Sequence, residues 1–178
     1  MYGPRKSQLN SDHPHAIALS EAIQQTHTNG GALIWVFKNE ETQKILQDYK
    51  IHLSDQRMLT EFLQSVSIRE ALPELSAGEN MTVPQTMRLN FFELEGSLIH
   101  LLVNGGAYWN WEIQEQKARA VARGFVDLIG AGNRSHILGY RFYEAWTNWF
   151  YGIAWDATFV ACNLATQKWW LVCVTDTD

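Results

Sequence analysis

The spacing of apolar residues along the chain predicts four helices. In each of them, apolar side chains recur every three or four residues, which places them on one face of a helix. Residues that favour the start of a helix precede them, namely Asp12, Asn39, Ser54 and Glu112. The first helix is expected to end before Asn29, and the last and longest to stop at Gly130, because asparagine and glycine favour the position after a helix.

Three segments outside these helices have the apolar pattern of strands. Residues 32–37 form a continuous apolar run, which is typical of a strand covered on both faces. Residues 87–94 alternate along the chain, and together with the apolar residues 98–103 they predict a β-hairpin. Residues 137–155 fit either a strand or a helix, and the strand is the interpretation that we favour.

The end of the chain predicts a second β-hairpin, residues 157–164 and 168–175, that is apolar on both faces. Trp169 and Trp170 point to opposite sides of it, because side chains alternate along a strand. Both faces must therefore be covered. Helices are expected to cover one of them, and the other is covered by the chain itself, by a second subunit or by an apolar ligand.

The same hairpin contains the two cysteines of the chain, Cys162 and Cys173. If it turns near Thr166, Cys162 lies opposite a residue close to Trp170, and Cys173 lies opposite one near Phe159. This register separates the two sulfur atoms too far for a disulfide. Both cysteines are therefore expected to be small core residues.

The order of these elements predicts the fold class. Grouped helices beside clustered hairpins indicate an α+β domain with a largely antiparallel, curved sheet of about five to six strands and helices packed on one face. The 178 residues are within the size of one domain, so residues 1–178 are expected to form a single domain. Residues 1–11 are polar and are predicted to be a loose N-terminal arm.

The charge of the chain excludes two classes of function. Its 19 acidic and 14 basic residues give a net charge of −5, and the basic residues form no cluster. Nucleic-acid binding and adhesion to anionic membranes both need a basic surface, so neither is expected. No apolar stretch has the length of a membrane span, and the first residues lack the apolar core of a signal peptide. A cytoplasmic location is therefore predicted.

Aromatic residues and one arginine are the candidates for a binding site. Tryptophan is concentrated near the C-terminus, where indoles either anchor a core or line a recognition surface. Arg141 lies within this aromatic stretch and is expected either to pair with Glu144 or Asp156 or to bind a carboxylate ligand. The candidate binding residues are Trp109, Trp111, Arg141, Trp146, Trp149, Trp155 and Trp170.

Motifs for catalysis or metal binding are missing from the sequence. It has no nucleophile elbow and no glycine-rich loop for phosphate. His13 and His15 are too few for a zinc site, and the isolated His100 is expected to be a core residue of a strand. Asp176 and Asp178 are interpreted as solubilising groups at the end of a strand. The sequence therefore predicts no catalytic residue, no metal and no cofactor, and an enzyme is not favoured.

Two functions remain open at this point. The first is an interaction domain, of the immunity or adaptor kind, in which an aromatic sheet face binds a protein partner or forms a homodimer. The alternative is a small-molecule-binding protein or enzyme with an aromatic pocket between the sheet and the long helix. Trp109, Trp146, Trp155 and Arg141 would line that pocket.

Overall fold

A computed structural model describes residues 5–51, 54–78, 81–107 and 114–177 of the chain. The described residues contain six α-helices: α1 (Pro14–Thr26), α2 (Glu40–Ile51), α3 (Asp55–Leu63), α4 (Val66–Ala71), α5 (Phe91–Asn104) and α6 (Glu115–Gly130). Two short 3-10 helices, Pro73–Leu75 and Arg134–His136, lie between them. None of the described helices is long and apolar enough to cross a membrane.

The strands of these residues form one six-stranded sheet. They are β1 (Gln8–Leu9), β2 (Gly31–Phe37), β3 (Met87–Leu89), β4 (Ile137–Phe142), β5 (Ala157–Asn163) and β6 (Lys168–Thr175), and their order across the sheet is β1-β2-β6-β5-β4-β3. Only the pairing of β1 with β2 is parallel. The predicted α+β class with a mostly antiparallel sheet is therefore confirmed, although the sheet is mixed.

The C-terminal hairpin, β5 and β6, is the centre of the sheet, and every residue of β6 after Lys168 is buried. Cys162 is paired with Trp169, and Cys173 is paired with Thr158. This register confirms the predicted one to within one residue. Both cysteines are buried, and neither forms a disulfide.

Helices lie on both faces of this sheet, whereas the sequence predicted them on one. On the first face, here called the three-helix face, Ile34, Phe159, Trp170 and Val172 pack with α1, α5 and α6. On the second, here called the aromatic face, Leu33, Tyr140, Trp169 and Leu171 pack with α2, α3, α4 and part of the segment 143–156. Since β6 is apolar on both sides, both sides need cover, and the chain itself supplies it.

The predicted hairpin of residues 87–103 is wrong. Only the short strand β3 forms, and α5 begins directly after it. Asn90 accepts hydrogen bonds from the backbone N–H groups of Phe92 and Glu93, and the Glu93 carboxylate accepts one from the Asn90 N–H at 2.7 Å. This reciprocal capping box fixes the start of a helix. The apolar residues that follow then lie on one buried helical face: Leu94, Leu98, Leu101 and Leu102.

Two other predicted elements are shorter than expected. The helix after Ser54 ends at Leu63, and a second cap at Ser65 starts α4. The predicted strand 137–155 ends at Phe142, and residues 143–156 have no regular helix or strand. Aromatic residues in this segment follow no single periodicity, because they fold over the sheet as an irregular layer.

The ends of two helices and the N-terminal arm complete the comparison with the sequence. His13, and not Asp12, caps α1 through a side chain that accepts from the His15 N–H. The predicted start of the long helix at Glu112 lies outside the described residues, and its end at Gly130 agrees with the prediction. Part of the arm belongs to the sheet as β1, because Asn10 hydrogen-bonds to the backbone of Val36 in both directions.

Candidate binding site at one end of the sheet

The sequence-predicted site residues are distributed over several parts of the molecule. Trp109 and Trp111 lie outside the described residues. Trp146 and Trp149 are buried on the aromatic face, and Trp170 is buried on the three-helix face, where its ring meets Phe125 edge-on. Arg141 and Trp155 lie beside open space at the end of the sheet where β4 ends and β5 begins, and Trp146 lines a separate depression beside the segment 145–152.

The buried tryptophans have partners within the core. The Trp146 indole donates a hydrogen bond to the Thr158 hydroxyl at 2.9 Å, and its ring centre lies 5.8 Å from that of Phe150. Trp149 meets the same phenylalanine edge-on, with ring centres 5.0 Å apart. A buried indole whose N–H is paired, and whose ring packs on other rings, is anchored in place. These rings therefore form a layer over the sheet.

Two adjoining depressions open at this end of the sheet. The larger, here called the outer groove, has a volume of about 790 Å³ and lies along α5, with Glu93, Ser97, His100, Arg141 and Tyr143 among its walls. The smaller, here called the inner cavity, has a volume of about 240 Å³ and is more enclosed. They share His100, Tyr143 and Ala154 as walls, so they lie side by side.

Arg141 is a cationic residue in the wall of the outer groove. Its Nη1 donates a hydrogen bond to the Ser97 hydroxyl at 2.9 Å, and its guanidinium lies 5.2 Å from the centre of the Tyr143 ring. Its Nε is buried and has no hydrogen-bond partner. Among the described residues, no carboxylate pairs with Arg141, so the pair predicted with Glu144 or Asp156 is not formed.

Asp156 does not pair with Arg141, because its carboxylate is hydrogen-bonded to the loop before β5 and to the end of β6. The buried carboxylate accepts hydrogen bonds from the N–H groups of Gly152 at 2.6 Å and Ile153 at 3.0 Å, and from the Thr175 hydroxyl. The sequence predicted this residue as one of two ion-pair partners for Arg141. Its position instead closes the loop before β5, which shapes the wall of the inner cavity.

Asp176 links three segments of the chain at the same end of the sheet. Its fully buried carboxylate accepts hydrogen bonds from the N–H groups of Asn29 and Ala107, each at 2.9 Å. Gly106 is required there, because a Cβ on it would lie 1.8 Å from an Asp176 oxygen. Asp178 lies outside the described residues. Within the described ranges, no group of three His, Cys, Asp or Glu side chains is placed to hold a metal.

His27, at the C-terminal end of α1, is a wall residue of the inner cavity that the sequence did not single out. Its ring is 3 % exposed, and Nδ1 lies 2.9 Å from the Thr26 hydroxyl. Burial lowers the pKa of the imidazole, and the negative charge of Asp176 opposes this shift only in part. The sequence around residue 27 does not predict its place in a cavity wall, because the other walls come from α5 and the loop before β5, which are distant along the chain.

His100 lies on α5 and is exposed, where the sequence predicted a core histidine of a strand. The change from strand to helix explains the difference, since a helix places residue 100 on its outer side. Its ring lies 2.9 Å from the Asn104 amide nitrogen, and it lines both the outer groove and the inner cavity.

The space as a whole offers a ligand one cationic donor at Arg141, one buried imidazole at His27 and an aromatic wall from Tyr143 and Trp155. Glu93 adds a carboxylate at the rim, but one of its oxygens is engaged in the cap of α5.

No protein-family model matches the chain, and no curated protein and no solved structure matches it either.

Proposed function

We propose that the protein binds a small carboxylate molecule in the outer groove, with Arg141 as the group that binds the charge. The observation that carries this proposal is the state of the guanidinium: it is half-buried, its Nε has no partner, and no described carboxylate neutralises it. A half-buried cation without a counter-charge has lost part of its hydration and gains no ion pair in return. A ligand carboxylate would remove that cost.

The geometry around Arg141 supports a planar anion. The hydrogen bond to Ser97 and the stacking on Tyr143 hold the guanidinium in one orientation. A fixed guanidinium can donate two parallel hydrogen bonds to a carboxylate, which a flexible lysine cannot do. The groove volume of about 790 Å³ is in the range of small-molecule sites, and one wall is aromatic.

Long-range attraction does not contribute to this binding. The chain has a net charge of −5, so its overall field repels an anion. Affinity must therefore come from contacts within the groove. Nonspecific anion adsorption, in contrast, would occur at exposed basic residues anywhere on the surface.

The test is a titration of the protein with acetate, propionate and butyrate, followed by NMR chemical shifts. In the wild type, we expect shifts at residues of the outer groove and saturation with each acid that fits. Arg141→Gln should weaken binding about tenfold or more, because a charge-assisted hydrogen bond contributes about 1.5–3 kcal/mol. Arg123→Gln is the matched control, since it removes the same charge from an exposed position of α6.

Two results would contradict the proposal. One is the absence of saturable binding of any of the three acids to the wild type. The other is equal affinity of the wild type and Arg141→Gln, which would place the anion elsewhere. Circular dichroism of both variants separates a loss of binding from a loss of fold.

Protein interaction is the second candidate function. In the described residues, both sheet faces are covered by the chain itself, so a docking surface would have to lie outside the sheet. The observation that favours it is Phe92 on α5, which is 69 % exposed although its ring touches that of Phe91. Light scattering decides this point: a dimer that Phe92→Lys dissociates would support interaction, and a monomer at high concentration would count against self-association.

A further inference from the structure

The inner cavity contains a polar group that the carboxylate site does not use. His27 is almost fully buried, it is one of the residues that line the cavity, and its Nε2 has no hydrogen-bond partner. A buried polar atom without a partner destabilises the fold. Such atoms are rare in folded proteins, and each calls for an explanation such as a missing ligand.

The neighbouring hydroxyl determines which nitrogen of His27 is protonated. The Thr26 hydroxyl lies 3.0 Å from the carbonyl oxygen of Ala22 and 3.1 Å from that of Ile23, and either can accept its single proton. With the proton donated to these carbonyls, Thr26 accepts from His27, and from this we infer that Nδ1 carries the imidazole proton. Nε2 is consequently an unprotonated acceptor.

The groups around the imidazole keep it neutral at pH 7. Burial lowers its pKa from the ordinary value of 6.5, and this effect exceeds the opposing effect of Asp176 at the end of β6. Asp156 from the loop before β5, His100 on α5 and Tyr143 after β4 are the other titratable groups on the cavity wall. Asp156 and Asp176 are both held by backbone N–H donors, which partly offset their charge.

We propose that the ligand is a small carboxylate that also carries an O–H or N–H donor, and that His27 Nε2 accepts a hydrogen bond from this donor in the inner cavity. The proposal rests on the carboxylate site proposed above. The outer groove and the inner cavity adjoin at His100, Tyr143 and Ala154, and the proposed molecule would extend past these residues from Arg141 towards His27. The ligand class is therefore a short hydroxy acid or amino acid with its donor distant from the carboxylate.

The first experiment examines the free protein. Long-range ¹H–¹⁵N spectra of histidine rings distinguish the two neutral tautomers and the imidazolium. At pH 7, we expect His27 as the neutral form with the proton on Nδ1. A proton on Nε2, or a charged ring, would overturn the proposal, because His27 would then have no acceptor to offer.

The second experiment compares acids of equal length with and without a donor. The probes are acetate, glycolate and glycine, then propionate, 3-hydroxypropionate and 3-aminopropionate, and then butyrate, 4-hydroxybutyrate and 4-aminobutyrate. In at least one set, the donor-bearing acid should bind about tenfold more tightly than the plain acid, since it satisfies a buried group that the plain acid leaves unpaired. The hydroxy and amino members show which donor the cavity accepts.

Two variants connect this preference to His27. His27→Asn keeps a donor for Thr26 but places no acceptor at the position of Nε2, so the tenfold preference should disappear while the plain acid binds as before. His27→Gln can place its amide oxygen near that position and should retain part of the preference. Because the wild type alone gives the ratio between the acids, the test remains valid even if a variant fails to fold.

The outcomes separate this proposal from the carboxylate site itself. Arg141-dependent binding of every acid with no preference for a donor overturns the role of His27 and leaves the carboxylate site intact. A preference that persists unchanged in His27→Asn has the same meaning. If none of the nine acids binds, both proposals are overturned.

Discussion

The two faces of the sheet are covered by different means. On the three-helix face, α1, α5 and α6 have 13, 14 and 16 residues, and many of the buried side chains are alanines. On the aromatic face, α2, α3 and α4 are shorter, with 12, nine and six residues, and large rings fill the space between them and the sheet. These rings include Phe37, Phe62, Tyr140, Phe142, Trp146 and Trp169.

This difference shows how side-chain size is matched to the covering element. Long helices approach each other closely when their contact residues are small, and a Cβ on Gly124 of α6 would lie 2.5 Å from the His15 ring of α1. Short helices and an irregular segment leave wider and less regular gaps, which planar rings fill. The three-helix face should therefore be sensitive to added volume, and the aromatic face to removed volume.

The largest effect is expected from adjacent residues of β6 that point to opposite faces. Trp169→Ala and Trp170→Ala should each cost about 3–5 kcal/mol of the free energy of unfolding. Trp169→Ala should cost about 1 kcal/mol more, because its indole also donates to the buried Thr42 carbonyl at 3.0 Å and its ring stacks on Phe62 at 4.1 Å. Urea unfolding followed by circular dichroism measures both variants.

Trp169→Phe is the control for this comparison, since it keeps an aromatic ring for stacking and removes the hydrogen-bond donor. Its cost should lie below that of Trp169→Ala. A larger loss for Trp170→Ala than for Trp169→Ala would show that the three-helix face depends on Trp170 more than the aromatic face depends on Trp169.

An intermediate effect is expected when volume is added. Ala122→Leu enlarges a fully buried position of α6 and should cost about 1–3 kcal/mol, because the neighbouring helices would have to separate. Ala71→Leu on α4 is the matched change on the aromatic side, at a half-buried position beside an open depression. It should cost less than about 1 kcal/mol. Equal losses in urea unfolding would refute the assignment of tight packing to one face.

The smallest effect on the free energy of unfolding is expected from the titration of His27, and it depends on pH. Its pKa is lowered from 6.5 in the folded protein, so below pH 6.5 the unfolded chain binds a proton that the folded chain does not. Stability is therefore lost as the pH falls from 6.5 towards the folded pKa, with a slope of at most about 1.4 kcal/mol per pH unit for one proton. Above pH 6.5 His27 makes no difference.

Unfolding free energies of the wild type and His27→Asn between about pH 5 and pH 7.5 test this expectation. The wild type should lose more stability than the variant over the acidic part of this range. Glu41 and Asp127 also have lowered pKa values, but their ordinary values are 4.5 and 3.8, so they act mainly at lower pH. Parallel curves for the two proteins would contradict the burial of a neutral imidazole.

Local patterns explain how much of the fold could be predicted. The strand at 32–37 and the C-terminal hairpin were found because their short apolar runs are rich in β-branched and aromatic residues, which favour strands. The helix α5 was missed because residues 87–94 also alternate, although Asn90 and Glu93 have the spacing of a capping box. A capping signal of this kind should outweigh a short alternation.

The candidate site was predictable only in part, because distant segments meet to form it. Arg141 was identified as an unusual charge within an aromatic stretch, and the structure places it in a groove. His27 is 114 residues away from it along the chain and has no distinguishing neighbours. Only the sheet, which brings the end of β4 and the start of β5 close to the end of α1, places both residues around one space.

The position of β6 in the sheet has a consequence for aggregation. Among the described strands, it is the one that hydrogen-bonds to both β2 and β5. Without it, β1 and β2 would form one ribbon and β3, β4 and β5 another, and the facing edges of β2 and β5 would lack partners. Local unfolding of this single segment would therefore expose two aggregation-prone strand edges at once.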